Sequence, residues 1–434
     1  MRKLALHWQI LIAILLAGFV GYAVNQAGNG DPSAPSLFGV PFLSMFQYVG
    51  SIFLNALKMI IVPLIMSSII VGMSGIGASG NLGQLGGRTL LFYAVTTLAA
   101  IVVGLLLINL TQPGISNGVP VRDVMALSGS VEEIAAKVGD RGISDVAEVF
   151  LRLVPDNIVR AAAEGQMLGL IFFSLLFGFF MTKIKTELSA TLNKFWDGVF
   201  HVMMKMTEWI MKFAPIGVFG LIAAVIAESG FKAAGPLVVF ALTVIAALAV
   251  HSLVTLPLLL RYVGGVSPYK MFPIMAPAML TAFSTASSSA TLPITMECVE
   301  EKAGVSNKIS SFVLPLGATV NMNGTALYEC AAAMFLAQAY GLDLTFGIQF
   351  VIVVTALLTS IGVAGVPSAS LVAIAIILAA VGLPIEALAY LMVFDRLLDM
   401  ARTSVNIFGD SCCAVIVARL SGEETNIAVN PSSG

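Results

Sequence analysis

The sequence predicts an all-α, polytopic membrane protein. Of its 434 residues, 58% are apolar and only 11% are charged, and the mean hydropathy is +0.97. Soluble domains contain about 45 to 50% apolar and about 25% charged residues, so a water-soluble core could not bury this much apolar surface. The net charge is −2, without a basic arm or an acidic tail, which argues against nucleic acid as a partner.

Apolar stretches that can cross about 30 Å of hydrocarbon recur through the first 262 residues. We place three spans at 4–24, 45–76 and 90–110, and centre three more on 167–181, 200–226 and 234–260. The first is interpreted as an uncleaved helix, because no A-x-A-like cleavage site follows it. The polar stretch 112–148 leaves the membrane. Basic residues of the short loops place the N-terminus in the cytoplasm and 112–148 outside.

After residue 262, two apolar segments are interrupted by small and polar residues. The first is broken at 284–289, Ser-Thr-Ala-Ser-Ser-Ser, and the second at 365–370, Gly-Val-Pro-Ser-Ala-Ser. Each half is too short to span a membrane, and paired interruptions are typical of a midplane substrate site lined by half-helix ends. The alternative is a pair of kinked membrane helices that pack through small residues.

A polar helix lies between these two segments. Asn321, Asn323, Thr325 and Glu329 surround Gly324, whose missing side chain lets the backbone unwind or be approached closely there. Carbonyl groups freed by unwinding could coordinate a cation, since hard cations prefer oxygen ligands. A purely structural polar kink is the alternative.

The last apolar helix carries the densest cluster of charge. Five charged residues occur between positions 395 and 410, and in lipid they would cost on the order of 12 to 17 kcal/mol. At 100° per residue, the polar residues of this helix share an arc of about 100°: Asp395, Asp399, Arg402, Thr403, Asn406 and Asp410. We therefore expect this face to line a protein interior.

The residue types on this face indicate their ligands. A structural ion pair could explain Asp399 and Arg402, but it would leave Asn406 and Asp410 unexplained. Arginine binds a carboxylate bidentately, and an aspartate one turn away can bind an ammonium group. The oxygens of Asn406 and Asp410 suit a cation. Together they predict an acidic amino acid that is transported with an ion.

Several motifs connect the chain to a known family. They are LKMIIVPLI (57–65), SSSATLP (287–293), the stretch 321–329, AGVPSAS, and DMARTSVNIFGD (399–410). Along nearly its whole length the chain resembles the dicarboxylate/amino acid:cation symporters, which include the excitatory amino acid transporters and bacterial and archaeal glutamate/aspartate transporters. The resemblance implies eight transmembrane helices and two re-entrant helical hairpins, built as inverted repeats, in a homotrimer.

The resemblance also implies a scaffold and an elevator-type transport domain. The scaffold would comprise 1–78 (helices 1 and 2) and 149–228 (helices 4 and 5). The transport domain would comprise 88–111 (helix 3) and 229–420 (helix 6, hairpin 1, helix 7, hairpin 2 and helix 8). An extracellular linker would occupy 112–148, and a cytoplasmic tail 421–434. We expect the tail to be disordered. Both termini would then lie in the cytoplasm, with the chain in a plasma membrane such as the bacterial inner membrane.

The substrate pocket implied by the resemblance draws on both hairpin tips and two helices. Its residues would be Ser287, Ser288, Thr325, Val366, Ser370, Asp399, Arg402, Thr403 and Asn406. Arg402 would bind the side-chain carboxylate of the substrate and Asp399 its ammonium group. Thr403 and Asn406 would bind its main-chain end.

The resemblance implies three sodium sites and a proton carrier. The sodium ligands would be Gly317, Asn321, Asn406 and Asp410 in the first site, Thr319, Ser360, Ile361 and Val363 in the second, and Tyr93, Thr96, Thr97, Asn321 and Asn323 in the third. Sodium-coupled relatives usually carry Asp where this chain has Asn323, which predicts a weaker third site. Glu329 matches the position of a glutamate that resembles a proton carrier in the excitatory transporters. A carboxyl group in a low-dielectric environment retains its proton more readily than in water, which suits that role. We therefore expect transport to be coupled to protons as well as to sodium, or to protons partly in place of sodium. We expect no resident cofactor.

Other functions were weighed against acidic amino acid import. Within the same family, the chain could be a proton-coupled C4-dicarboxylate or a neutral amino acid symporter. A serine hydrolase at 287–289 would need a base, and neither His251 nor Lys270 lies in a motif that would hold one there. A passive channel has no need for a paired Asp and Arg beside unwound helices. The sequence therefore predicts a symporter and not an enzyme.

Overall fold

The computed structural model describes residues 6–28, 34–77, 83–125, 127, 154–164, 167–230, 234–360 and 370–427. The first helices are α1 (Leu6–Ala27), α2 (Phe42–Gly77), α3 (Gly83–Thr111), α4 (Arg122–Met125), α5 (Ile158–Glu164), α6 (Met167–Met181), α7 (Thr186–Met211) and α8 (Ala214–Ser229). The later ones are α9 (Ala234–Val250), α10 (Leu256–Tyr262), α11 (Met271–Thr285), α12 (Ser288–Glu297), α13 (Asn307–Val320), α14 (Asn323–Ala339), α15 (Phe346–Ser360), α16 (Ser370–Val381) and α17 (Leu388–Leu420). Two antiparallel pairs of two-residue strands, Ser36–Leu37 with Val40–Pro41 and Ile115–Ser116 with Val119–Pro120, lie in the connections.

The described helices pack in two groups. In the first group, α8 packs against α1 and α2, and α2 also packs against α6 and α7. Small residues allow these close approaches: a Cβ atom at Gly21 would lie 2.7 Å from the Ala223 carbonyl oxygen. In the second group, α14 packs against α3, α15 and α17, and α11 and α13 pack against α17. The scaffold and transport-domain boundaries stay a prediction.

Three described helical stretches are long and apolar enough to cross a membrane, namely Leu85–Thr111, Ala234–Tyr262 and Ile385–Leu420. The span predicted around 200–226 is interrupted in the structure, because α7 ends at Met211 and α8 begins at Ala214 with a bend of 57° between them. Pro215 in the first turn of α8 explains the break, since proline lacks the N–H that a continuous helix would use. The total of eight spans stays a prediction.

Both interrupted segments consist of short helices in the structure. Helix α11 ends at Thr285 and is followed by Ala286, which has φ 50°. Ser287 precedes α12 and caps it by accepting a hydrogen bond from Ala290 N at 3.2 Å. Helices α15 and α16 form the second pair and pack against each other. Their connection, with the predicted ligands Ile361, Val363 and Val366, lies outside the described residues.

Of the two possibilities predicted for Gly324, the structure shows the close approach, and the unwound backbone lies at the residues just before it. The backbone leaves the helical conformation at Asn321 and Met322, between α13 and α14, and Gly324 lies inside α14. Glycine is needed there for a close approach. A Cβ atom at Gly324 would lie 2.9 Å from the Arg402 carbonyl oxygen and 3.1 Å from Asn406 Oδ1.

The prediction of a disordered tail is wrong for residues 421–427. Thr425 and Ile427 are buried, and Asn426 N donates a hydrogen bond to the Ala303 carbonyl at 3.0 Å. These contacts could not be predicted from the short polar sequence of the tail, because the residues that it contacts lie more than 100 positions earlier in the chain. Residues 428–434 lie outside the described part of the structure.

Candidate substrate and cation site

The polar face of α17 is turned into the protein. Asp395, Asp399, Arg402, Asn406 and Asp410 are each at most 6% exposed, and Arg402 is completely buried. Their spacing of three or four residues keeps them on one side of the helix. The burial agrees with the expectation that charges on this helix line a protein interior.

Arg402 lies at the centre of a buried charge network. Its Nη2 donates to Asp399 Oδ1 at 2.8 Å, and Nη1 and Nη2 each lie 3.4 Å from Asp395 Oδ1. The guanidinium also stacks 3.9 Å from the centroid of the Tyr328 ring, and Tyr328 donates to Asp395 Oδ1 at 3.2 Å. Arg396 Nη1 lies 3.7 Å from Asp399 Oδ2. The structural ion pair considered from the sequence therefore does form.

The buried charge network around Arg402 could exchange its ion-pair partners for those of a ligand. Burying a guanidinium costs several kcal/mol unless carboxylates and hydrogen bonds compensate. Arginine has five N–H donors, and Arg402 Nε has no hydrogen-bond partner among the described residues. An incoming carboxylate could therefore replace Asp399 on Arg402 and leave Asp399 to pair with an incoming ammonium group.

Asn406 joins this network to the start of α14. Its Oδ1 accepts hydrogen bonds from Gly324 N at 2.8 Å and Thr325 N at 3.2 Å, and its Nδ2 donates to Thr325 Oγ1 at 3.0 Å. The amide thus satisfies N–H groups that the first turn of a helix leaves free. Thr403 Oγ1 donates to the Asp399 carbonyl at 2.8 Å, within its own helix.

An oxygen-rich cluster lies two turns further along α17. Asn321 Nδ2 donates to Asp410 Oδ1 at 2.8 Å, and Asn321 Oδ1 accepts from Thr96 at 3.1 Å and from Thr97 at 3.4 Å. A Cβ atom at Gly317 would lie 2.6 Å from Asp410 Oδ1 and 3.0 Å from the Tyr93 hydroxyl. The structure therefore brings together six predicted cation ligands: Tyr93, Thr96, Thr97, Gly317, Asn321 and Asp410.

Asn323 and Glu329 are both fully buried in α14. Asn323 Oδ1 accepts a hydrogen bond from Gly324 N at 3.0 Å, while Nδ2 has no hydrogen-bond partner in the part of the chain that is described. Glu329 Oε2 accepts from Thr359 Oγ1 at 3.0 Å, and Oε1 is likewise without a partner there. Buried polar atoms are normally satisfied. Glu329 Oε1 is an acceptor that a proton could satisfy, whereas Asn323 Nδ2 is a donor and offers no lone pair to a cation.

The remaining predicted residues lie near the two helix pairs. Ser288 and Ser370 are buried, and Ser370 Oγ has no hydrogen-bond partner among the described residues. Thr319 and Ser360 donate their side-chain hydroxyls to carbonyls of their own helices, Leu316 and Leu357. The structure does not connect the described members of this group directly to Arg402. Neither ring nitrogen of His251 makes a hydrogen bond to a described residue, so no described serine is activated by it.

Three contacts that shape the site were not predicted from the sequence. Tyr328 stacks on Arg402, Asp395 shares the guanidinium, and Thr359 binds Glu329. Asp395 was placed on the polar face, and its spacing of seven residues from Arg402 was a signal for the contact. Tyr328 and Thr359 reach their partners from other helices, and the sequence holds no comparable signal for them.

The chain is similar to known proteins along nearly its whole length. A profile of the sodium:dicarboxylate symporter family matches residues 6–420. The chain is 36% identical over 423 residues to a proton/sodium-glutamate symport protein of Geobacillus stearothermophilus, covering 98% of this chain and 96% of the relative. It is 34% identical to the proton/glutamate-aspartate symporter of Escherichia coli, covering 96% and 93%. It is 35% identical to human excitatory amino acid transporter 3, covering 98% and 87%.

Proposed function

The chain belongs to the sodium:dicarboxylate symporter family, and on this premise we propose that it imports glutamate or aspartate together with sodium ions and a proton. Symporters are secondary transporters, so the chain is a membrane transporter and not an enzyme. The observation that carries the substrate class is Arg402, completely buried beside Asp399 on the same helix face as Asp410.

Substrate binding is an exchange of ion pairs in this proposal. The side-chain carboxylate of the amino acid binds the guanidinium group of Arg402, and the ammonium group of the amino acid binds the carboxylate of Asp399. Thr403, Asn406, Thr325, Ser287, Ser288, Val366 and Ser370 complete the pocket. A diacid without an ammonium group would leave Asp399 with only its 3.7 Å contact to Arg396, and a neutral amino acid would leave Arg402 with only its 3.4 Å contacts to Asp395. Both alternatives within the family are therefore disfavoured.

Cations are cargo in this proposal, and no resident cofactor is involved. Asp410 and Asn321 with Gly317, Tyr93, Thr96 and Thr97 supply the oxygen atoms for sodium. Thr319, Ser360, Ile361 and Val363 supply a further sodium site through their carbonyls. Asn323 weakens the third site, and Glu329 carries the proton. Glu329 Oε1 has no hydrogen-bond partner among the residues that the structure describes, which supports this role.

The proposal extends to the working assembly. The chain would form a homotrimer in a plasma membrane, with both termini in the cytoplasm, and the second group of helices would move as an elevator against the first. Exposed apolar side chains support contact with lipid or a second subunit. Leu15 and Phe19 of α1 are 74% and 75% exposed, and Trp209 of α7 is 60% exposed. Native mass spectrometry of the detergent-solubilised chain tests the trimer.

Uptake into proteoliposomes tests the function. Purified protein is reconstituted, and inward sodium and proton gradients are imposed separately. We expect labelled glutamate and aspartate to accumulate in response to these gradients. Unlabelled succinate and alanine should inhibit this uptake only weakly. Accumulation that is unresponsive to both gradients, or that prefers succinate, would reject the proposal. Saturation with substrate separates a carrier from a pore.

A further inference from the structure

The chain after α17 turns back sharply and docks on the protein. Gly422, with φ 86°, ends the helix: its N–H donates to the Arg419 carbonyl at 3.1 Å, and Glu423 N donates to the Ala418 carbonyl at 3.0 Å. This pair of hydrogen bonds is the Schellman motif, which requires a left-handed residue at the Gly422 position. The turn directs Glu423 back along the protein.

Glu423 meets the start of α13. Its Oε2 accepts a hydrogen bond from Ser306 N at 3.1 Å, and its Oε1 accepts from Ser306 Oγ at 2.5 Å. Ser306 is the residue that precedes α13, and its own hydroxyl caps no N–H of that helix. The carboxylate of Glu423 therefore lies at the N-terminal end of α13, where negative charge is also favoured by the helix dipole. Arg419 Nη1 fixes Glu423 by donating to its carbonyl at 3.1 Å.

The rest of the tail strengthens the same attachment. Asn426 Nδ2 donates to the Lys302 carbonyl at 3.1 Å, and Ser267 N donates to the Ile427 carbonyl at 2.9 Å. Ile427 is only 2% exposed. Residues 421–427 thus form a strap that holds both the segment before α13 and the segment before α11.

The other end of α13 is the cation cluster. Ser306 and Asn321 are fifteen residues apart, so they lie about 22 Å from each other along the helix. Asn321 binds Asp410, and Ser306 binds Glu423. Helix α13 is therefore attached to the α17 segment at both ends, and the two run antiparallel. The backbone is irregular both before α13, at Gly304, and after it, at Asn321, so the chain connections alone would let the helix move along its own axis. The attachments to the α17 segment limit that movement.

We propose that Glu423 is a positioning residue that sets the axial position of α13 and thereby the affinity of the Asp410 cluster for its cation. The inference rests on the proposed cation coupling. Gly317 and Asn321 must be held to within about 0.5 Å to serve as ligands, and both belong to the last turn of α13 or follow it directly. Release of Glu423 lets α13 slide away from Asp410, whereas the Arg402 network, held by α14 and α17, stays in place.

The test compares Glu423→Ala with Glu424→Ala, whose target is the exposed neighbouring acid. The sodium concentration for half-maximal glutamate uptake is measured for the full chain in proteoliposomes, along with the KM for glutamate at saturating sodium. We expect Glu423→Ala to raise the half-saturating sodium concentration about fivefold, the size of a lost helix cap, with the KM for glutamate changed by less than about twofold. Equal sodium dependence in the two variants would overturn the inference.

Two further variants separate positioning from general damage. Gly422→Ala disturbs the turn while retaining Glu423, and it should shift the sodium dependence in the same direction. Adding Ser306→Asp to Glu423→Ala supplies a local cap for α13 without the attachment to the α17 segment, so the shift in sodium dependence should persist. If Glu423→Ala does not fold, Glu423→Gln, which retains an acceptor without the charge, should show an intermediate shift. Restoration of the wild-type value by Ser306→Asp, or a shift confined to the maximal rate, would contradict the inference.

A binding measurement distinguishes this inference from the proposed function. The rise in Tm caused by sodium is recorded for each purified variant in detergent, without any transport. If the wild type shows this rise but no sodium-driven uptake, the proposed function fails while the comparison of Glu423→Ala with Glu424→Ala still decides the inference. We expect a smaller rise for Glu423→Ala than for Glu424→Ala.

Discussion

Asp399 Oδ1 accepts a 2.8 Å hydrogen bond from Arg402 Nη2, one turn later in the same helix, and both side chains are at least nine-tenths buried. The pair is neutral as a whole. In the proposed function, the side-chain carboxylate and the ammonium group of an acidic amino acid would replace these two partners. Its second carboxylate would bring a net negative charge, which a co-transported cation would balance.

Replacing Arg402 by cysteine should eliminate uptake of acidic substrates. The variant Arg402→Cys leaves Asp395 and Asp399 without their strongest partner, and a broken buried pair costs about 3 to 5 kcal/mol. We expect uptake of glutamate and aspartate to fall by at least about 100-fold and uptake of a neutral amino acid such as serine to appear. Reconstituted uptake of each substrate measures this, with Arg160→Cys at an exposed arginine as control. Unchanged glutamate uptake would remove Arg402 from the pocket.

Asp399 should discriminate amino acids from diacids. In Asp399→Asn the substrate ammonium group loses its charged partner, whereas Arg402 keeps the contact with Asp395. We expect glutamate to bind at least about 30-fold more weakly, in line with a lost charged hydrogen bond, and succinate to bind no worse than before. Ligand-induced shifts of Tm report both affinities. Equal weakening of the two ligands would indicate general damage to the pocket.

Glu329 should confer the response to pH gradients. Glu329→Gln keeps the acceptor for Thr359 Oγ1 but cannot release or bind a proton. We expect sodium-driven glutamate uptake to continue while stimulation by an inward proton gradient is lost. Uptake under separately imposed gradients measures this, and Glu386→Gln at an exposed acid serves as control. A variant that still responds to the proton gradient would show that another group carries the proton.

Restoring a charge at position 323 should strengthen cation binding. Asn323 Nδ2 has no hydrogen-bond partner among the described residues, so Asn323→Asp sacrifices no observed hydrogen bond. The added negative charge lies near the Asn321 cluster and should lower the half-saturating sodium concentration by about three- to tenfold. Sodium titration of uptake measures this. The control Asn117→Asp adds the same charge at an exposed turn, and an identical response there would contradict a local effect.

Gly324 should tolerate no side chain. A methyl group there would meet the Arg402 carbonyl oxygen at 2.9 Å, and overpacking against backbone typically costs about 1 to 3 kcal/mol. We expect Gly324→Ala to lower Tm and to abolish uptake. Gly87, in α3, has open space around the corresponding position, so Gly87→Ala should leave both unchanged. Normal uptake by Gly324→Ala would mean that α14 and α17 can separate without loss of function.

The sequence anticipated the features that depend on local pattern. The face of α17 could be predicted because charge in an apolar helix can be buried on one side only, and the break near Ser287 because serine starts helices better than it continues them. The bend between α7 and α8 was missed, since Pro215 sits within an otherwise apolar run. The contacts of Thr359 with Glu329 and of Glu423 with Ser306 join residues 30 and 117 positions apart, and periodicity carries no information at that range.

Asp410 differs from the other acids of α17, because no arginine or lysine pairs with it in the part of the chain that the structure describes. A bare carboxylate at this depth would cost several kcal/mol, so in the proposed function Asp410 would cross the membrane only with a cation beside it. Slippage, in which the solute crosses without an ion, would then be disfavoured.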